Sequence, residues 1–182
     1  GALVTAIVIG PRKDFLSAST LPHNLTMSFT GAAMLWVGWF GFNAGSALAA
    51  DGAAGMAMFV THISAATGAL TWMVIEWLKF GKPSGLGAIT GMVAGLATIT
   101  PASGSVGPAG ALIVGLSGGV ICYYATMYLK QTVKIDDSLD VFPVHGVGGM
   151  VGTFLAGILV SGNLGLFSGN GLPDGMTIGS QV

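Results

Sequence analysis

The sequence predicts an all-α fold, a polytopic bundle of transmembrane helices, on three observations. Hydrophobic residues make up 52% of the 182 positions and charged residues only 7%, with a mean hydropathy of +0.80. A soluble domain carries about 25% charged residues, so this chain cannot cover a water-facing surface. Charged and turn-forming clusters leave five apolar stretches, near 25–50, 53–78, 84–101, 107–129 and 141–162. Each meets the length of about 17 to 25 residues that a spanning helix needs. A transmembrane β-barrel would alternate over segments of about 10 residues, and these runs do not. Finally, all six basic residues fall in three places: Arg12 and Lys13, Lys79 and Lys82, Lys130 and Lys134. The connections near 47–52, 102–106 and 163–182 have none. Five crossings produce this alternation if the basic loops face the cytoplasm, which places the C-terminal tail outside.

The elements follow in order. Residues 1–9 precede the first basic pair, the reverse of a signal peptide, and read as the tail of a transmembrane helix whose start is missing. "LPHN" introduces the first complete span, with Asn24 placed to cap its free amides. Its "MLWVGWFGFNAGSA" is aromatic-rich. "GKPSG" and "TPASGSVGP" separate the next spans with the Pro and Gly that punctuate helices. Asp136, Asp137 and Asp140 stand before the last span, where carboxylates favour a helix N-terminus and act as solvated caps. The tail "GNGLPDGMTIGSQV" is polar and Gly-rich, like a loop before another element. Both ends suggest that residues 1–182 are one domain fragment. The 31 glycines predict closely packed helices, because small residues let backbones approach within a bilayer.

Several function classes are excluded. Phosphate binding needs a basic face, and none exists, so nucleic acid is not a partner. The lone Cys122 cannot form an internal disulfide and reads as a small core residue. No metal-ligand pair at helical spacing, phosphate-cradling loop or nucleophile elbow is present. No cofactor or metal is therefore expected, and the chain does not read as an enzyme.

The chemistry-bearing residues are few. His145 lies about one turn into the last span, within "FPVHGVGGMVG". An ionisable group inside a membrane faces a bundle interior or a water-filled path, so His145 is either a satisfied core histidine or a pathway residue. Its flanking glycines leave space around the imidazole, and Gly148 and Gly152 form a weak G-x-x-x-G pair. Trp36, Trp39, Phe40 and Phe42 can pack lipid, pack the bundle or attract a cation. Ser46 can accept a hydrogen bond or satisfy its own backbone. Glu76 reads as an interfacial carboxylate, His62 as a polar core contact and His23 as a solvated loop residue.

"GWFGFNAGSA" (38–47) and "DDSLDVFPVHGVGGMVG" (136–152) together resemble the ammonium transporter family, the Amt/Mep/Rh proteins, and its Amt branch more closely than its Rh branch. "GPRK", "PHNL" and "EWLKFGKPSGLGAITGMVAGLATITPASG" extend the resemblance over essentially the whole chain. It implies an eleven-helix bundle of two inverted five-helix repeats, assembled as a homotrimer in the lipid bilayer, and the expected location is a multi-pass place in a cell membrane, a bacterial inner membrane. This chain would hold the end of helix five, helices six to ten and the start of the loop before helix eleven. The resemblance further implies that His145 is the second of two pore histidines, Phe42 one ring of a stacked gate and Ser46 part of an outer ammonium site. Trp39, Leu35 and Val141 would line the apolar lumen, and Asp140 would stand near its inner mouth. The first histidine would lie within about two helical turns before Gly1, in hydrogen-bond reach of His145.

The implied function is ammonium or ammonia transport. An ammonium sensor with the same core is the alternative within the family, and a purely structural helical subunit the alternative outside it. A PII-type signalling protein on the basic face is the further partner that the resemblance implies.

Overall fold

The computed structural model describes residues 1–17 and 21–159, and these form six helices without strands. A short α1 (Ala2–Ile9) precedes α2 (Leu25–Gly45), α3 (Gly52–Phe80) and α4 (Gly85–Ile99). Helix α5 (Pro108–Met127) widens into a π-helical turn over Tyr128–Val133. A second π-helical turn, Phe142–Val147, leads into α6 (Gly148–Leu159). Residues 160–162 of the predicted last span, and the tail after it, lie outside the described residues.

The boundaries follow from capping chemistry. Asn24 accepts a bond from the Met27 amide at 3.0 Å, as the sequence predicts. Asp51 does the same for Ala53 and Ala54, and Ser84 for Gly87. Pro108 opens α5 where no amide partner is needed. Gly81 closes α3 in the left-handed region, at φ 74°, which a glycine adopts without steric cost.

Four segments are long and apolar enough to cross a membrane: Leu25–Gly45, Gly52–Phe80, Pro108–Val133 and Phe142–Leu159. The stretch 84–101 forms the shortest of these apolar helices, α4. Its 15 residues reach about 22 Å, short of a hydrocarbon core of about 30 Å. Thr100 and the "PASG" turn end the helix early. Its composition serves burial: from Gly91 to Ile99 every residue but Val93 is buried.

The core forms where α3, α4 and α5 meet. A Cβ on Gly68 would sit 2.5 Å from the Gly91 carbonyl oxygen and 2.9 Å from the Gly95 Cα, so only a residue without a side chain fits there. Ser64 donates to the Gly95 carbonyl at 2.9 Å across the same contact, satisfying a buried hydroxyl between helices. Around it pack Val60, Ile99, Val106 and Val114, and on the other side Trp72, Cys122, Tyr123 and Val144. Cys122 is thus the small core residue expected from its setting. Gly148 and Gly152 both face Thr98 of α4, so their pairing is a packing contact.

Two readings are corrected. Asp136 and Asp137 are buried, not solvated. Asp137 does cap the last span, accepting from the Phe142 amide at 2.6 Å. Asp136 instead receives the Arg12 guanidinium through Nε and Nη2 at 2.8 and 2.7 Å, and the Arg12 amide at 2.8 Å. That clamp fixes the end of α1 beside the start of the last span. Nor is His62 a polar core contact: it is exposed, with its ring centroid 5.1 Å from Trp36 and 5.9 Å from Phe40. Its partners are aromatic faces, because the neighbouring turns of α2 offer no acceptor there.

Candidate functional site

Leu35, Trp39, Phe42 and Ser46 recur at spacings of four, three and four, which aligns them on one face of α2. That face is only partly covered: Phe42 is 62% exposed and Leu35 47%. Leu35, Trp39 and Phe42, with Met34 and Gly38, line an apolar groove of about 330 Å³. The Trp39 and Phe42 rings meet edge to face at 6.2 Å and 78°, the geometry favoured by opposed quadrupoles.

His145 joins this stripe from the turn that leads into α6. Its imidazole stacks on Trp39 at 6.0 Å and 13°, and it is exposed along the same face. The backbone explains how it gets there. His145 sits in the π-helical turn Phe142–Val147, where the wider helical path shifts the side chain away from its regular α-helical position. Phe142 closes over Gly146, so that a Cβ at 146 would stand 2.9 Å from the ring. The sequence suggests space around His145; part of that space is filled by Phe142.

Trp39 is itself held. Its Nε1–H donates to Thr100 Oγ1 at 2.8 Å, and that hydroxyl donates in turn to the Leu96 carbonyl at 2.7 Å. Sequence reasoning misses Thr100, since "ITPASG" reads only as a helix end. At the far end of the stripe Ser46 Oγ donates to the Phe42 carbonyl at 2.7 Å. It satisfies its own helix, and its lone pairs remain available as acceptors.

The Trp39–His145 stack separates the groove from a second cavity at the basic end. This one measures about 420 Å³ and is lined by His145, Asp140, Lys130, Thr90 and Ser28 among others. Asp140 and Lys130 form an ion pair there at 2.6 Å. Burial raises the Asp140 carboxyl above its ordinary range against the pull of Lys130. The Arg12 hydrogen bonds hold Asp136 below that range. Val141 does not reach the Trp39 groove; it faces α1 across a separate space of about 280 Å³, opposite Ala2 and Thr5. Glu76 accepts from the Ser84 amide at 2.6 Å and its hydroxyl at 3.1 Å, tying α3 to α4 at the basic end. Among the described residues no group of three His, Cys, Asp or Glu side chains could hold a metal ion. The face offers an apolar lining, one imidazole and charged groups confined to one end.

Comparison with known proteins bears on what such a face does. The model of the Ammonium Transporter Family matches residues 1–181. Ammonium transporter Amt1 of Archaeoglobus fulgidus is 49% identical over 173 residues, covering 93% of this chain and 44% of its own length. The crystal structure of Saccharomyces cerevisiae Mep2 superposes with a TM-score of 0.79 at 40% identity, over 87% of this chain and 36% of that one. A structure described as a sensor Amt protein superposes at 0.82 with 32% identity, over 87% and 40%. The chain spans less than half the length of each of these relatives.

Proposed function

Because this chain belongs to the ammonium transporter family, we propose that it forms one wall of a membrane pathway that takes up ammonium and passes it as ammonia. The relatives are transporters, not enzymes, and the chain is part of a multi-pass membrane protein. The observation that carries the proposal is the single stripe of Ser46, Phe42, Trp39 and His145.

Physical chemistry orders the steps along that stripe. An ammonium ion arriving at the Ser46 end meets a hydroxyl acceptor and the negative faces of aromatic rings, both of which favour a cation. Beyond Phe42 the groove is apolar, and a charge there lacks compensation. The ion therefore releases its proton, and neutral ammonia enters. Imidazole offers one donor and one acceptor, so His145 hydrogen-bonds ammonia in an otherwise greasy passage. With a second imidazole beside it, His145 shares and relays the proton. Trp39 holds the His145 ring in register by stacking. Val141 and Asp140 stand toward the inner end, and the basic loops face the cytoplasm.

In the full-length protein, reconstituted methylammonium uptake should fall at least about ten-fold when His145→Ala and Phe42→Ala are combined, the equivalent of about 1.4 kcal/mol at the barrier. Uptake undiminished by the pair would remove this reading. A sensor is the second reading, favoured by the superposition on a sensor Amt protein. It would bind ammonium on the same stripe without net uptake and would carry a signalling domain. Assembly as a homotrimer, placement in a bacterial inner membrane and docking of a PII-type protein on the basic face belong to the same proposal. Nucleotide-dependent retention of a PII homologue by the full-length protein tests the last.

A further inference from the structure

Lys130 is not used by the pathway just described, yet it reaches into it. Its ammonium group lies 2.6 Å from Asp140 Oδ1, and the two side chains are 26% and 17% exposed. Both line the cavity of about 420 Å³ that begins at His145.

The carboxylate is held in place independently of the lysine. Asp140 has a left-handed backbone at φ 56°, a conformation costly for a residue with a side chain. Two backbone bonds enforce it: the Asp140 amide donates to the Asp137 carbonyl at 3.1 Å, and the Asp140 carbonyl accepts from the Val144 amide at 3.0 Å. Lys130 arrives from the other side, on the π-helical turn that ends α5. The remaining charged groups nearby are committed elsewhere. Arg12 is clamped on Asp136, and Asp137 caps Phe142.

A fixed, largely desolvated carboxylate beside a cavity is neutralised by a proton or by a cation, and here a cation stands 2.6 Å from its Oδ1. The head group of lysine is a primary ammonium with three N–H donors, the nearest protein counterpart of the ion the pathway handles. We propose that Lys130 is a tethered ammonium at the inner end of the pathway, occupying on Asp140 the place a free ammonium ion would take. The cavity next to His145 then releases its product, because the one carboxylate on its wall is already paired. The tether needs no loss of translational freedom to stay there, whereas a free ion does. This inference rests on the pathway reading above.

The test is calorimetric titration of purified full-length protein with ammonium chloride, with sodium chloride as the control cation. Lys130→Met keeps the stem and removes the charge. It should gain about one ammonium site per subunit, at least about ten-fold tighter than any binding the wild type shows there. That gain should be absent from Lys130→Arg and from Lys130→Met combined with Asp140→Asn. Lys130→Gln serves the same purpose if the Met variant fails to yield monodisperse protein. An unchanged stoichiometry in both neutral variants would overturn the inference, and so would a new site that takes sodium equally well. A wild type with neither saturable ammonium binding nor methylammonium uptake would instead bring down the pathway reading itself.

Discussion

Gly68 and His145 belong to the same bundle but to opposite kinds of surface. Around Gly68 three helices approach until backbone meets backbone, and the Ser64 hydroxyl caught between them finds a carbonyl. Around His145 the side chains are aromatic, spaced at ring-stacking distances and open on one side. The first region is saturated by contacts within this chain. The second has its geometry fixed from behind, by Thr100 on Trp39 and by the π-helical turn under His145, while its front stays free. Glycine thus specifies where helices lock, and aromatic residues at helical spacing specify where they do not. A substitution in the first region should change assembly; one in the second should change transport and leave assembly intact.

The strongest way to break that division is Gly95→Leu. A Cβ at this position would overlap the Ser64 backbone oxygen, and a backbone atom cannot rotate away. The cost should exceed the roughly 1 to 3 kcal/mol of ordinary overpacking, and size-exclusion profiles should lose the monodisperse peak. A folded, transport-competent Gly95→Leu protein would show that the helices are not locked there.

Next in size is Trp39→Leu, on the other side of the division. The groove stays apolar, but His145 loses the ring it stacks on, and methylammonium uptake should drop at least about ten-fold with an unchanged elution profile. Thr100→Val sharpens the point. It removes the acceptor for Trp39 Nε1–H without touching the groove, so stability should fall by about 1 kcal/mol. Uptake should fall less than in Trp39→Leu. Equal losses of uptake in the two variants would mean that the indole orientation, and not its face, is what transport requires.

The same division explains what could be read in advance. Capping residues such as Asn24 act through their own backbone neighbourhood, so their positions are legible in the sequence. The stripe of Leu35, Trp39, Phe42 and Ser46 is legible for a similar reason, since helical spacing alone aligns it. The extent of burial along α4 is not legible, because apolar length does not distinguish a lipid-facing helix from one packed by neighbours; its contacts with α3, α5 and α6 settle that. Asp136 reads as solvated until Arg12, 124 positions away in sequence, is brought against it. Thr100 and Lys130 carry no local signal, because each acts on a residue of another segment, Trp39 and Asp140. The π-helical turns at Tyr128–Val133 and Phe142–Val147 are equally silent.

The Arg12–Asp136 clamp provides a smaller test outside both regions. Hydrogen bonds from Arg12 lower the Asp136 carboxyl from its ordinary range. A lowered carboxyl contributes stability that is fully present above the unfolded value of about 3.9. That contribution disappears as pH falls through the folded value. Asp136→Asn should therefore cost about 1 to 2 kcal/mol at pH 7, discounted because the Arg12 side chain is 44% exposed. The gap in Tm between variant and wild type should close as pH falls below about 4. A gap independent of pH would assign the effect to packing instead of charge.

The smallest effect is expected at Ser46, and it bears most directly on where the open face begins. Its hydroxyl proton is spent on the Phe42 carbonyl at 2.7 Å, a local bond that a helix end replaces with water at little cost. Ser46→Ala should thus shift Tm by an amount within the roughly 0.5 kcal/mol typical of surface changes. If the oxygen only serves its own helix, uptake is unaltered at every ammonium concentration. If its lone pairs receive the incoming ion, the loss appears only where ammonium is scarce: KM rises by about two- to five-fold, the worth of one modest hydrogen bond, and the saturated rate is unchanged. A fall in the saturated rate would place Ser46 at the barrier, deeper in the pathway than its position at the end of α2 implies.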